Sequence, residues 1–261
     1  MLARRASVIS IWIACVSCLS YRLHSSVIDD ITSRIQSDFT VDANNRPYYD
    51  KEIGTVGTCL EWKPWCLSTR FFDRYFLEEV SDVRVLYRTT VQEPFTNNGT
   101  SSHEMRFTIS KTKSLGVTKG WKIGGRLSAG VDVGAPPLKG SAGLEMSSEY
   151  GESTAEDTST TRLVQHNIRC EPGHYCALVT VTFNAAVKGI CAVAPHFECG
   201  GKRNMCTNPS WTGCGPFFDS YNRCDCDGYA GYVPCEAQFP IFNDNGEPLS
   251  HVVSIAKRLG S

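Results

Sequence analysis

The sequence predicts a mainly β fold: an elongated molecule with long antiparallel strands, an amphipathic hairpin carried between them, and a separate disulfide-rich segment. Three observations lead there. Residues 121–150 alternate apolar with polar or glycine positions, the stretches on either side are rich in Ser and Thr, and seven cysteines crowd into residues 191–235. Period-two alternation marks a strand with one apolar face. Residues such as Thr suit pleated strands, and clustered cysteines in an exported chain read as disulfides.

Taken in order, residues 1–20 read as a secretory signal peptide. Arg4 and Arg5 precede a short apolar run over 6–19, with small residues near Cys18 and Ser20 for cleavage. The run is too short for a transmembrane helix. No later run reaches 18 apolar residues, so a secreted, water-soluble chain is expected. A formal net charge of −1 and a pI near 6.6 argue against nucleic acid as a partner and against general attraction to anionic lipid.

Residues 21–82 form an N-terminal region. Val27, Ile28, Ile31, Ile35 and Phe39 fall on one helical face, which predicts a short amphipathic helix packed on the body. Aromatics then accumulate at Trp62, Trp65, Phe71, Phe72, Tyr75 and Phe76. Burial is the usual use of such side chains; a sugar or lipid-headgroup site is the alternative.

Residues 83–190 carry the strands around the hairpin. Strands are expected over 83–91 and 106–121, separated by a polar loop at Asn97, Asn98 and Gly99. In a secreted chain, Asn98-Gly99-Thr100 is an N-glycosylation sequon. Thr108, Ser110, Thr112, Ser114 and Thr118 form a hydroxyl track on one face of the second strand, and the return arm is equally rich in Ser and Thr over 153–161.

The hairpin has a testable register. Trp121, Ile123, Leu127, Ala129, Val131 and Val133 supply one apolar face; after Pro136 and Pro137 the alternation resumes on even numbers at Leu138, Ala142, Leu144, Met146 and Tyr150. Opposed residues in an antiparallel pair have numbers adding to a constant. A constant of 271 pairs Asp132 with Lys139, Arg126 with Glu145, Lys122 with Glu149 and Lys119 with Glu152, all opposite in sign. The same register sets Leu127 against Leu144 and Trp121 against Tyr150. The arm from 123 to 133 has 11 residues, against the ~9–11 that a tilted membrane strand needs. With charges on the other face, Lys122, Arg126, Asp132, Lys139, Glu145 and Glu149 would line the lumen of a barrel whose outside meets lipid. A lone hairpin leaves its edge groups unpaired in hydrocarbon, so a homo-oligomer is implied in the pore state.

Residues 191–235 form the cysteine-rich segment, and 236–261 return a last strand, at 252–256, after a turn at Gly246-Glu247-Pro248. Residues 177–187 read as a further alternating strand. Of 13 cysteines, Cys15 and Cys18 lie in the leader and eleven remain. Cys59 and Cys66 are spaced to close a small loop, as are Cys170 and Cys176. Cys191, Cys199, Cys206, Cys214, Cys224, Cys226 and Cys235 cannot all pair among themselves, and an odd thiol is left over. Glycines and prolines dominate this segment, which predicts a loop-rich knot rather than a hydrophobic core. Cys224, Cys226 and their flanking aspartates could join His196 as zinc ligands, but no pair of CxxC motifs at finger spacing occurs, so no metal is expected.

FTISKTKSLGVTKGW, then KIGGRLSAGVDVGAPPLKGSAGLEMSSEY, then GESTAEDTSTTRLVQ and CEPGHYCALVTVTF resemble, in that order, the aerolysin family of β-pore-forming proteins with its epsilon-toxin and mosquitocidal-toxin branch. The resemblance covers roughly residues 83–190. It implies an aerolysin-like pore-forming module: secreted soluble, bound to a surface receptor, assembled into a ring, and converting the loop into barrel strands. The partners it implies are a target-cell membrane and a receptor that is a glycan, lipid or protein. The alternative is a non-lytic, secreted, cysteine-rich binding module, lectin-like or effector-like. No GxSxG, HExxH or GxxxxGK[ST] pattern occurs, and His103, His166, His174 and His251 are scattered surface or turn residues. No catalytic residue and no cofactor are expected.

Overall fold

The computed structural model describes residues 25–37, 39–127, 144–148, 158–207, 213–225, 227–243 and 245–259. It is mainly β. Helix α1 (Ser25–Ser37) buries Ile28, Ile31 and Ile35, as its spacing requires, and Gln36 Nε2 donates to Val83 O at 2.9 Å. Phe39, expected on the same helical face, instead opens strand β1 (Phe39–Val41), parallel to a later strand. Phe-Thr-Val is a β-prone run, and a free sheet edge beside it supplies the partners.

β2 (Tyr48–Gly57) leads through a 3-10 turn at Leu60–Trp62 into β3 (Ser68–Asn97), a strand of 30 residues that contains the predicted 83–91. β4 (His103–Ser114) follows. The expected strand to Trp121 stops at Ser114: residues 115–120 form a loop in which Gly120 takes a φ of +89°, and Thr118 exchanges hydrogen bonds with Gln238. The chain resumes as β5 (Trp121–Lys122), β6 (Gly124–Leu127) and β7 (Leu144–Ser147). The predicted first arm is therefore broken at Ile123, because β5 pairs with β2 while β6 crosses to another part of the sheet.

β8 (Thr158–Cys170) and β9 (His174–Glu198) follow; β9 runs unbroken through positions 190 and 191. Short β10 (Lys202–Asn204), helix α2 (Gly215–Tyr221), β11 (Tyr232–Phe242) and β12 (Ser250–Arg258) complete the chain, with Gly246 at +73° in the expected turn.

β3 and β9 form the spine, antiparallel from Arg70 opposite Glu198 to Asn97 opposite His174. The other edge of β9 is taken in turn by β12, β11 and β10, so its ladder is occupied on both sides. Bulges in β3 beyond Leu77 and Val80 bring its backbone onto Gly189, where an added Cβ would lie 2.0 Å from Glu79 O. Only glycine fits so close an approach.

One face of β9 (Val179, Val181, Phe183, Ala185) packs on the main core with α1, Phe239, Ile241, Trp121, Ile123, Leu127, Leu144 and Met146. The cysteine-rich end has a core of its own: Phe71, Phe197, Met205 and Phe217 cluster there, the Phe217 ring edge-on to both other phenylalanines. The expected coreless knot is corrected: Phe197, Met205 and Phe217 of the segment itself close on Phe71, which β3 contributes from outside it. A third cluster joins Phe107 and Ile168 to Leu178.

Candidate functional site

Among the described residues β4 and β8 pair only with each other, in a two-stranded sheet from His103 opposite Cys170 to Ser114 opposite Thr158. This ribbon lies over the second face of β9, which Leu178, Thr180, Thr182 and Asn184 make. At its far end the contact is apolar, with Phe107 and Ile168 on Leu178 and Met105 and Val252 beside them. There the Cys170–Cys176 disulfide also joins β8 to β9.

Towards the hairpin the contact turns polar. Thr182 Oγ1 donates to Lys113 O at 2.5 Å and Asn184 Nδ2 donates to Leu115 O at 3.2 Å; within the sheet beneath, Gln92 Nε2 of β3 donates to Thr180 Oγ1 at 3.4 Å. Gln92, Thr112, Ser114, Thr180, Thr182 and Asn184 are all buried. Asn184 Oδ1, also buried, has no hydrogen-bond partner among the described residues. Buried polar surface with incomplete pairing gives far less adhesion than apolar packing of equal area.

The change of character follows from one irregularity. A register shift between Phe107 and Ile109 turns the strand, so inward positions switch from odd (Phe107) to even (Thr112, Ser114). The predicted hydroxyl track is thereby corrected: Thr108 is exposed, Thr112 and Ser114 are buried on β9, and Thr118 belongs to the loop.

Of the hairpin itself, the base is described. β6 and β7 pair Gly124 with Ser147, Gly125 with Met146, Arg126 with Glu145 and Leu127 with Leu144, numbers that add to 271 as read from the sequence. Leu127, Leu144 and Met146 are turned into the main core, and Gly125 leaves room for the Phe239 ring. Trp121 is buried against Tyr49, which stacks on Tyr75 at 4.5 Å; the backbone partner of Lys122 is Tyr48. Ala129, Val131, Asp132, Val133, Pro136, Pro137, Leu138, Lys139, Ala142, Glu149 and Tyr150 lie outside the described residues, as does Glu152.

The disulfides correct one expectation. Cys59 pairs with Cys214 and Cys66 with Cys199, at Cα separations of 6.2 and 5.4 Å, so the two do not close a loop on each other. The β2–β3 connection lies against the cysteine-rich segment, and partners from there reach both. Cys170–Cys176 forms as expected, Cys191–Cys235 clasps β9 to β11, and Cys206 pairs with Cys224. Cys226 lies outside the described residues. Five disulfides among the described residues are typical of a protein made for an oxidising, extracellular setting.

His196 stacks on Phe72 and its Nδ1 lies 2.8 Å from Ala194 O; among the described residues no group of His, Cys, Asp and Glu is placed to hold a metal. Arg74 sits 4.0 Å over the Tyr48 ring and is clamped by both carboxylate oxygens of Asp50. Asn98 is exposed in the turn after β3. Of the aromatic run, Phe71 and Phe72 are core, whereas Trp65 is exposed. Among the described residues no helix is long and apolar enough to cross a membrane.

The architecture thus defines a class: an elongated β protein with disulfide bonds, in which a separate ribbon rests on a long two-stranded spine. No protein-family model and no curated protein matches the chain. Among the solved structures that match, two overlap it loosely. The parasporin-2 Bacillus thuringiensis toxin that recognizes cancer cells is 9% identical, with 88% of this chain and 90% of that one covered at a TM-score of 0.24. The Cry23Aa1 and Cry37Aa1 binary protein complex is 13% identical, with 80% and 91% covered at 0.19. Overlaps this loose carry no argument about function.

Proposed function

We propose that the protein is a secreted pore former that binds a target membrane, assembles into a ring and contributes one β-hairpin per subunit to a transmembrane barrel. The polar seam beneath the β4–β8 ribbon is the observation that carries this reading. A ribbon that must leave its body is best held by contacts water can replace: the hydroxyls and amides of Thr180, Thr182 and Asn184 lose little on hydration. Its Ser/Thr strands then meet those of other subunits, which pair the ribbon's free edges. Residues 128–143 would form the tip, with their apolar positions outward to lipid.

The test is a cysteine pair across the seam, Ser114→Cys with Thr182→Cys, oxidised before assay. Dye release from vesicles of target-cell lipids should stop in the oxidised protein and return on mild reduction, with cell-surface binding unchanged. Release that persists in the oxidised protein would refute the role of the ribbon.

A second reading, a non-lytic binding module, is favoured by the burial of Leu127, Leu144 and Met146 in the main core. Extracting them costs about 2 kcal/mol each until they reach lipid. It predicts a stable monomer on membranes, with no rings in electron micrographs and no dye release.

A further inference from the structure

The connection between β2 and β3 exposes apolar side chains that nothing in the fold requires outside. Leu60 is 79% exposed, Trp65 65% and Leu67 81%. These values approach those of an unfolded chain, so the side chains project outward rather than line a groove. The loop is nonetheless firmly held. Cys59 is bonded to Cys214 at the start of α2 and Cys66 to Cys199 at the end of β9. Its neck is closed by Thr58 N donating to Leu67 O at 3.2 Å and by the buried hydroxyls of Thr58 and Thr69, 2.8 Å apart. α2, fastened to the loop through Cys214, exposes Phe218 as well.

We propose that the loop from Leu60 to Leu67 is where the protein docks on a zwitterionic lipid surface. This rests on the membrane role proposed for the chain and names the surface that makes first contact. Three features select lipid over a folded partner. Projecting side chains without a groove suit a medium that closes around them. Trp and Leu are side chains that partition into the headgroup and acyl boundary. Glu61 and Lys63 cancel, so the loop gains nothing from an anionic surface.

Its position agrees with that role. The loop lies at the start of β3 and the exposed Asn98 turn at its end, 30 residues of strand away, or about 100 Å along the chain. A glycan on Asn98 would not stand between the loop and a bilayer.

The experiment is flotation of the oxidised full chain with phosphatidylcholine vesicles, comparing wild type with Leu60→Ser/Trp65→Ser/Leu67→Ser, each shown folded by near-ultraviolet circular dichroism. Affinity should fall roughly tenfold or more in the variant, and about 20% phosphatidylserine should not restore it. Wild type that fails to float, or a variant that floats equally well, overturns the proposal; cell binding without flotation would assign the loop to a protein or glycan receptor instead. A histidine-tagged variant tethered to chelating lipid separates this from the pore reading. If tethering restores dye release, both stand; if tethered wild type releases nothing while flotation still depends on the loop, docking stands and the pore reading falls.

Discussion

Gly189 and His196 show how much single residues of β9 are constrained by their neighbours. A methyl group at Gly189 would meet Glu79 O at 2.0 Å, and backbone on a paired strand cannot step aside. Gly189→Ala should therefore destabilise the fold by about 2 kcal/mol or more, read from the denaturant midpoint. The surroundings of His196 favour its neutral imidazole. Burial is the largest influence depressing its pKa, and Arg74 adds to it; the Ala194 carbonyl and the carboxylates of Asp50 and Asp73 pull the other way. Because the unfolded chain takes the proton more readily, unfolding gains as pH falls. The stabilisation is complete above the ordinary imidazole value of about 6.5 and is lost as pH drops through it towards the lower folded value. The Tm of wild type should decline more steeply than that of His196→Gln between about pH 7 and pH 5. Neither constraint is visible in sequence, where Gly189 is one glycine among 22 and His196 one histidine among six.

Along the seam the ribbon is held by individually weak polar contacts, so single changes there should act locally. Thr182→Val removes the donor to Lys113 O and should cost about 1 kcal/mol. Hydrogen exchange should quicken around Lys113 in β4 and stay unchanged in β11. The strands themselves are legible in sequence: alternation locates β9, β12 and the 271 register of β6 with β7, because each of these alternates apolar with polar or small side chains. The seam is not. Thr180, Thr182 and Asn184 alternate with Val179, Val181 and Phe183 and read as a solvent face, until a second layer covers them. Strand ends depart from the pattern where glycine intervenes, as at Gly120, and helix α1 loses Phe39 to a sheet edge formed by residues more than a hundred positions away. Local spacing also pairs Cys59 with Cys66, whereas tertiary placement sends each to a distant partner.

At the scale of the whole molecule, covalent links concentrate at the cysteine-rich end and along the spine. Cys66–Cys199 is nested inside Cys59–Cys214, so removing it by paired serine substitution frees only the short path between the two bonds and should lower stability by on the order of 3 kcal/mol on chain-entropy grounds, seen as a reduced Tm. The same variant should lose vesicle flotation, since the docking loop loses one of its two anchors. The opposite end holds a different fastening: Cys170 to Cys176, at the corner where β8 turns into β9. A ribbon leaving its seam would remain pinned at that corner like a gate on its post. Its sweep is then a fixed radius, the same in every copy, and subunits standing side by side would lower their hairpins to one common depth.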